Sequence, residues 1–266
     1  MAADPEGQHL ILAGGGHSHA LLLRRWAMQP RQRPRAWITL VSRSSTALYS
    51  GMVPGLVAGL YSHQQGAIDL RHLAQQAGVN LIVAEISGLD LDGQRLLLQG
   101  RPPLRFDWLS LDVGAETNSE ATATAALPVK PLEPFLSWCA QQQDAHAVRV
   151  LGSGAAAVEV ALALRARGLR PWLQTHARGL DLGSIRANKL LARVLLEAGI
   201  VCQGSSAAEG ASGAMPTIAC TGSRAPHWLA GGGLPTGERG RVQTAATLQV
   251  LGRPAIFATG DCAVIA

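Results

Sequence analysis

The stretch HLILAGGGHSHALLLRRW, residues 9–26, decides the fold class of this chain. Its apolar start, residues 9–13, predicts a strand, three glycines follow, and residues 20–26 predict a helix. After an arginine-rich loop, residues 36–41 predict a second strand. A strand, a glycine loop, a helix and a second strand make a βαβ unit of about 35 residues. The sequence therefore predicts a doubly wound α/β fold with a mostly parallel sheet.

The glycine loop predicts a phosphate site. Gly14 permits the sharp turn, Gly16 permits close approach of a pyrophosphate, and the helix start offers free N–H groups. The third glycine of the G-x-G-x-x-G pattern is replaced by His19. We assign the phosphate contacts to Gly14, Gly15, Gly16, His17 and Ser18. Since both histidines stand where the phosphate is expected, no metal site is predicted.

Three further positions complete the first predicted site. The second strand ends in Ser42 and Arg43 where an acidic residue usually binds ribose. The Ser42 hydroxyl can still bind ribose, and Arg43 can contact a phosphate or cover the adenine. Ala84, in a strand predicted over 81–85, and Gly114, where the chain passes the pyrophosphate, are the other assigned contacts.

The pattern returns 138 residues later as Gly152-Ser153-Gly154 with Ala157 in the third position. A strand precedes it, a helix follows, and residues 171–175 predict the next strand. His176 and Arg178 then either pair with a ribose phosphate, which favours NADP, or belong to a solvated loop. Two loops imply two nucleotides, or an internal duplication in which one loop is silent.

Two later segments join these loops: CTGSRAP at 220–226 and ATGDCA at 258–263. Together the four segments resemble the pyridine nucleotide-disulfide oxidoreductase family, which binds FAD first and NAD(P)H second. The resemblance implies that Gly260 and Asp261 contact FAD. It also implies that Gly222 lies at the bend where the NAD(P) domain rejoins the FAD domain and contacts NAD(P). Glu159, on the helix after the second loop, becomes the candidate catalytic residue near the nicotinamide. The alternative is that Glu159 is an ordinary solvent-exposed helix residue.

Residues 14–20 and 49–55 narrow the resemblance to the flavoprotein module found fused to selenide, water dikinase. That module is similar to type II NADH dehydrogenases and sulfide:quinone reductases. The likeness implies that the loop at 49–55 lies near the isoalloxazine ring, with an ordinary turn as the alternative. It also implies a small-molecule electron acceptor, with a quinone as candidate, and a fused or separate kinase domain.

The expected organisation is two Rossmann-like, three-layer domains with parallel sheets. Residues 1–115 are predicted as the first part of the FAD domain, 116–147 as a crossing linker, 148–222 as the NAD(P) domain and 223–266 as the return to FAD. Relatives continue beyond the T-G-D segment, so a C-terminal domain is expected to be missing. Residues 204–217 are shorter than in the family.

The predicted function is hydride transfer from NAD(P)H to the flavin and then electron transfer to an acceptor. The alternative is a non-catalytic FAD or NAD(P) module that acts as a sensor or as the partner of another domain. The net charge is +5, but only 4% of residues are aromatic, which argues against nucleic-acid binding. No signal peptide or membrane span is recognisable, so a cytoplasmic protein is expected. The four cysteines form no CxxC pair and are expected to be buried thiols.

Overall fold

The computed structural model describes residues 7–118, 126–142, 145–204 and 215–266. The chain divides into two compact units. The first unit comprises Met1–Tyr49, Ala67–Ala115 and Arg224–Ala266, and the second comprises Ser50–Gly66 and Glu116–Ser223. Each unit is built around its own sheet.

The strands follow the chain in this order: β1 (His9–Ala13), β2 (Trp37–Ser42), β3 (Thr46–Leu48), β4 (Ala67–Asp69), β5 (Asn80–Val83), β6 (Ile86–Asp90), β7 (Arg95–Leu98), β8 (Arg101–Arg105), β9 (Trp108–Leu111), β10 (Glu116–Thr117), β11 (Leu127–Pro128), β12 (Ala147–Leu151), β13 (Arg170–Thr175), β14 (Val201–Gly204), β15 (Thr217–Ala219), β16 (Ser223–Arg224), β17 (Val242–Thr244), β18 (Gln249–Val250), β19 (Arg253–Ala258) and β20 (Ala263–Ile265). The helices are α1 (His17–Met28), α2 (Val53–Val57), α3 (His63–Gly66), α4 (Leu70–Gln76), α5 (Leu132–Ala140), α6 (Ala155–Ala166), α7 (Ile185–Glu197) and α8 (Trp228–Gly231).

The main sheet of the first unit has the order β20-β17-β18-β19-β9-β1-β2-β5. Its part from β19 to β5 is parallel throughout, with β1 between β2 and β9. This is the strand order of a doubly wound dinucleotide-binding sheet. From β1 the chain first adds strands on one side, β2 and β5, and later adds strands on the other side, β9 and β19. The predicted α/β class with a mostly parallel sheet is confirmed.

Successive side chains of β1 point to opposite faces of this sheet, and the two faces carry different layers. Leu12 packs with Leu23 of α1 and Leu70 of α4 in one buried cluster. Ile11 packs on the other face with Leu96, which belongs to the antiparallel sheet β6-β7-β8. Helices, parallel sheet and antiparallel sheet therefore form three layers in this unit, as predicted.

The second unit contains a five-stranded sheet of order β11-β15-β12-β13-β14, parallel throughout. Helix α6 follows β12 and packs on β13 and β12, burying Ala157, Ala161 and Leu164. The two units thus repeat the same strand–loop–helix arrangement, as the two glycine loops predict.

Residues 50–66 depart from the predicted organisation, because they belong to the second unit and not to the first. Residues 53–57, within the segment expected as a loop or turn, form helix α2. Val53 and Val57 lie on one side of this helix and are buried in the core of the second unit. Pro54 stands in the first turn, where its missing N–H costs nothing. The spacing of Val53 and Val57 makes this segment helical, although its Gly-Met-Val-Pro-Gly composition is typical of a turn.

The stretch predicted as a crossing linker, 116–147, also belongs to the second unit. Its strand β11 pairs with β15, and its helix α5 buries Phe135 and Cys139. The Ala-Thr repeats at 119–125 and most of the shortened segment, 205–214, lie outside the described residues. In the part of the chain that the structure describes, no helix has both the length and the apolar composition needed to cross a membrane.

Candidate functional site

The first glycine loop connects β1 to α1 at the carboxyl end of the parallel sheet. Gly14 has φ +98°, a conformation that L side chains rarely adopt, and its N–H donates to the Val41 carbonyl at 2.8 Å. A side chain at Gly14 would collide with the backbone of Asp112. This position therefore requires glycine for its dihedral angle and for its close approach to a neighbouring strand.

The start of α1 presents several N–H groups to the same small region. Gly16 is the N-cap and supplies no side chain, so these donors need another partner. The Gly16 N–H donates to the Asp112 carbonyl at 3.2 Å, and the His19 N–H donates to Asp112 Oδ2 at 3.1 Å. Among the described residues, the N–H groups of Gly15 and His17 have no partner. Those two donors and the positive helix end suit a phosphate group.

Asp112 is the residue at this site that the sequence did not single out. It follows β9 directly and is only 3% exposed. Burial raises the pKa of its carboxyl group, and the charge of Asp261 adds to that rise. His19 and the N–H groups of His19 and Ser18 act in the opposite direction. The sequence did carry a signal for this residue, since Asp112 is acidic, follows an apolar strand and stands two positions before Gly114.

His19 replaces the third fingerprint glycine by lying beneath the loop, not where a phosphate would lie. The side chain is 1% exposed, its Nδ1–H donates to the Gly14 carbonyl at 2.7 Å, and its Nε2 is 2.8 Å from Ser110 Oγ. Since a carbonyl can only accept, the neutral ring carries its proton on Nδ1 and accepts from Ser110. Burial lowers the pKa of His19, although Asp112 partly offsets this. The imidazole therefore ties the loop to β9.

The T-G-D segment returns to this loop from the far end of the chain. Thr259 Oγ1 lies 3.2 Å from Ser18 Oγ. Gly260 has φ +68°, and a side chain there would meet Asp112 Oδ1 at 2.5 Å. The side chain of Asp261 is exposed, and its carbonyl accepts from Arg241 Nε at 3.2 Å. The fold thus brings Ser18, Gly260 and Asp261 to the first loop.

The remaining predicted contacts of the first site are less uniform. Ser42 is buried, and a side chain at Gly15 would meet its Oγ at 2.7 Å, so this hydroxyl faces the loop. Ala84 lies just after β5, which ends at Val83 and not at 85 as predicted, and it donates its N–H to the Ser42 carbonyl at 2.9 Å. Arg43 is exposed, and no contact joins it to the loop in the described structure.

His17 and Gly114 complete the assigned set. His17 is exposed and stacks on Tyr49, with ring centroids 4.9 Å apart. Gly114 has φ +70°, and a side chain at this position would meet no heavy atom within 4 Å. Its glycine is therefore required by the backbone conformation alone, which suits the passage that the sequence predicts there.

The second loop repeats the arrangement with different surroundings. A side chain at Gly152 would collide with the Cys220 carbonyl and lie 3.0 Å from Ala157 Cβ, so Ala157 provides the close packing of helix and strand. Gly154, the N-cap of α6, has open space where a side chain would begin. The neighbouring Ser153 side chain accepts from the His176 N–H at 3.0 Å. The helix start of α6 is therefore open to a ligand.

The other residues assigned to the second site are exposed or lie in turns. His176 and Arg178 follow β13 directly, both are exposed, and the Arg178 N–H donates to His176 Nδ1 at 3.2 Å. Glu159 is exposed on α6. Gly222 has φ +97°, and its carbonyl accepts from the Asn118 N–H at 2.9 Å. His176 and Arg178 therefore lie at the end of β13, the position from which such folds contact the ribose of a dinucleotide.

The cysteines differ from the expectation at one position. Burial raises the pKa of Cys139 and Cys220 to about 12 and that of Cys262 to about 11. Cys202 is exposed at the outer strand β14, so the expectation of four buried thiols is wrong there. No group of three metal-ligating side chains occurs among the residues that the structure describes.

Neither a family model nor a curated protein matches this chain. Solved structures match over nearly its whole length. Reduced CoADR-RHD from Bacillus anthracis has a TM-score of 0.80 at 17% identity, covering 97% of this chain and 51% of that one. The ferredoxin reductase of the CYP199A2 system from Rhodopseudomonas palustris has 0.79 at 20%, covering 97% and 69%. The NADH-bound water-forming NADH oxidase from Lactobacillus brevis has 0.75 at 17%, covering 97% and 63%.

These likenesses define the class of fold. Two Rossmann-like units with glycine loops, in this order, make the fold of the pyridine nucleotide-disulfide oxidoreductases, as the motifs indicated. The chain spans from about half to about two thirds of the length of the structures that it matches.

Proposed function

We propose that the first loop holds FAD, that the second holds NAD(P)H, and that the chain is the dinucleotide-binding portion of an FAD-dependent NAD(P)H oxidoreductase. The observation that carries this proposal is the return of Thr259-Gly260-Asp261 to the first loop. A nicotinamide-only dehydrogenase needs one loop and leaves this return without a role. A chain that binds two dinucleotides uses both loops and the T-G-D segment.

In the first site the N–H groups of Gly15 and His17 would bind the pyrophosphate, supported by the dipole of α1. Ser42, whose hydroxyl faces the loop, would bind the ribose in place of an acidic residue. Gly260 and Asp261 would lie along the ribityl chain, as the resemblance implies. This set fits the first loop, because the N–H groups of Gly15 and His17 have no partner among the described residues and Thr259 lies beside Ser18.

In the second site Gly154 and the start of α6 would bind the phosphates of NAD(P)H, since a ligand can approach there without displacing a side chain. His176 and Arg178 would contact a 2′-phosphate, which favours NADPH. FAD, when bound, supplies hydride acceptance from the nicotinamide and electron delivery to an acceptor. Glu159 is the candidate side chain for work near the nicotinamide.

The acceptor and partner follow from the resemblance. A quinone or another small molecule is the proposed acceptor, as in the sulfide:quinone reductases and type II NADH dehydrogenases that the sequence resembles. A selenide, water dikinase domain, fused or separate, is the proposed partner. Both proposals rest on the resemblance alone.

The test begins with the absorbance spectrum of the purified chain, which should show flavin, followed by anaerobic titration with NADH and NADPH to follow flavin reduction. Gly154→Val should abolish reduction by NAD(P)H, because its side chain would stand where the phosphates are proposed to bind. The flavin content should stay unchanged, since no heavy atom of the described residues lies within 4 Å of a Cβ at this position. Folded protein that binds no flavin would contradict the first assignment. Unchanged reduction of Gly154→Val would contradict the second.

A second candidate is a module that binds the dinucleotides without turnover. The observation that favours it is Asp112, whose carboxylate accepts from the His19 N–H and whose carbonyl accepts from the Gly16 N–H, so fewer donors remain for an anionic cofactor. Glu159 is also exposed on α6. A protein that binds FAD and NAD(P)H, and whose flavin stays oxidised under excess NADH and NADPH, would support the role of a non-catalytic module.

A further inference from the structure

The Asp112 carboxyl group occupies part of the anion site that the first loop builds. Its Oδ2 accepts from the His19 N–H at 3.1 Å, and the Asp112 carbonyl accepts from the Gly16 N–H at 3.2 Å. The side chain is 3% exposed and lies against Gly16 and Gly260. One helix start therefore serves a resident carboxylate and, under the proposed function, a pyrophosphate.

Two anions at one helix end oppose each other. The partial positive charge of a helix N-terminus is about half an elementary charge, less than either anion carries. Carboxylates that share a site with a like charge take up a proton, because the neutral acid removes the repulsion and keeps its acceptor oxygen. The protonated Asp112 side chain can still accept from the His19 N–H and can donate its own proton to a phosphate oxygen.

We propose that Asp112 sets the affinity of the first loop for the FAD pyrophosphate, and that the dinucleotide binds together with one proton taken from solvent by the Asp112 carboxyl group. This inference rests on the proposed function and adds to it the residue that regulates the site. Asp112 acts on a bound anion through charge and one hydrogen bond, so it is a residue that determines affinity and not a catalytic residue.

The groups that surround Asp112 favour this direction. His19, from α1, is buried, and burial lowers its pKa, so a neutral ring offers no full positive charge to hold Asp112 ionised. Asp261, after β19, raises the pKa of Asp112, as burial does. The Cys262 thiol, also near Asp112, has a pKa of about 11 and stays neutral. His19 and the N–H groups of His19 and Ser18 act in the opposite direction and favour the ionised form.

The pH dependence of FAD binding follows from the direction of these pKa shifts. The pKa of Asp112 in the free protein lies above its ordinary value of 3.8, and a bound pyrophosphate raises it further. FAD affinity is therefore greatest at acidic pH and falls as the pH rises between those two pKa values. One linked proton gives at most a tenfold loss of affinity per pH unit.

The experiment titrates the flavin-free protein with FAD, following flavin fluorescence, at several values between about pH 5.5 and 8.5, where FAD phosphates do not change charge. The unaltered chain is compared with Asp112→Asn, which keeps the shape and the acceptor oxygen but cannot ionise. Asp92→Asn removes the same charge from an exposed turn residue of the same unit and serves as the matched control. Circular dichroism establishes that each protein is folded.

We expect Asp112→Asn to bind FAD at least about tenfold more tightly than the unaltered chain at the alkaline end, which corresponds to about 1.4 kcal/mol. Its affinity should vary little with pH, whereas Asp92→Asn should retain the full slope. Equal slopes in Asp112→Asn and the unaltered chain would show that Asp112 does not cause the pH dependence and would overturn this inference alone. Folded proteins that bind no FAD at any pH would overturn the proposed function together with it.

Discussion

Gly16→Ala is the substitution whose effect the structure defines most closely. Gly16 has φ −67° and ψ 172°, an extended conformation that alanine adopts without strain. The added methyl group would nevertheless lie within 3.0 Å of three heavy atoms of the Asp112 carboxyl group. The need for glycine here is therefore steric and comes from one neighbouring side chain.

The expected cost combines two effects. Inserting a methyl group into a packed site costs about 1–3 kcal/mol. Moving the carboxyl group aside also removes its hydrogen bond to the His19 N–H, and a bond to a charged group is worth about 1.5–3 kcal/mol. Since the two overlap, we expect Gly16→Ala to lower the free energy of unfolding by about 2–4 kcal/mol.

Urea unfolding of the flavin-free protein, followed by circular dichroism, measures this cost. Asp112→Ala is combined with Gly16→Ala in a double-mutant cycle. Asp112→Ala removes the three heavy atoms nearest to the added methyl group, so the double variant should be about as stable as Asp112→Ala alone. The coupling energy should then be about 2 kcal/mol or more.

Gly154→Ala is the matched control from the second loop. Gly154 is the N-cap of α6, with φ −89° and ψ 179°, and no heavy atom lies within 4 Å of the position its side chain would take. Its effect on stability should stay within about 1 kcal/mol, the typical cost of alanine at an N-cap. If Gly16→Ala costs no more than Gly154→Ala, or if the costs at 16 and 112 simply add, the steric role assigned to Asp112 is wrong.

Three further predictions concern other parts of the chain. Because burial lowers the pKa of His19, the imidazole binds a proton more readily in the unfolded chain, and the free energy of unfolding should fall as the pH drops from about 6.5 to the pKa of the folded protein. His19→Gln should show a shallower fall when unfolding is measured at several pH values. An equal dependence of stability on pH in both proteins would contradict this assignment. The chain should bind NADPH about tenfold more tightly than NADH, and Arg178→Ala should remove that preference in a fluorescence titration; equal affinities in the unaltered chain would contradict the role of His176 and Arg178. Cys202 should react with a thiol reagent in the native protein while the other three cysteines react only after unfolding, so a Cys202→Ser protein that still reacts rapidly would refute this accessibility.

The sequence determined the parts of this protein that depend on local pattern. Strand β1, predicted over 9–13, has those bounds, because an apolar run that ends in glycines leaves few alternatives. The hairpin turn between β6 and β7 is also a local feature, since Asp and Gly at that spacing allow the Gly93 N–H to donate to Asp90 Oδ1 at 2.9 Å. The order of the two glycine loops and the T-G-D segment was enough to indicate the fold.

The tertiary structure alone decided what surrounds the loops. Asp112 lies 93 residues from His19 along the chain, and only the parallel pairing of β9 with β1 places its carboxyl group at the start of α1. Residues 50–66 join the second unit because their apolar side chains find a core there, a choice that no local pattern encodes. Periodicity and glycine spacing act over a few residues, whereas a buried charge and the allocation of an apolar helix depend on which distant strands become neighbours. The loops were therefore predictable, and the carboxylate that competes for the first of them was not.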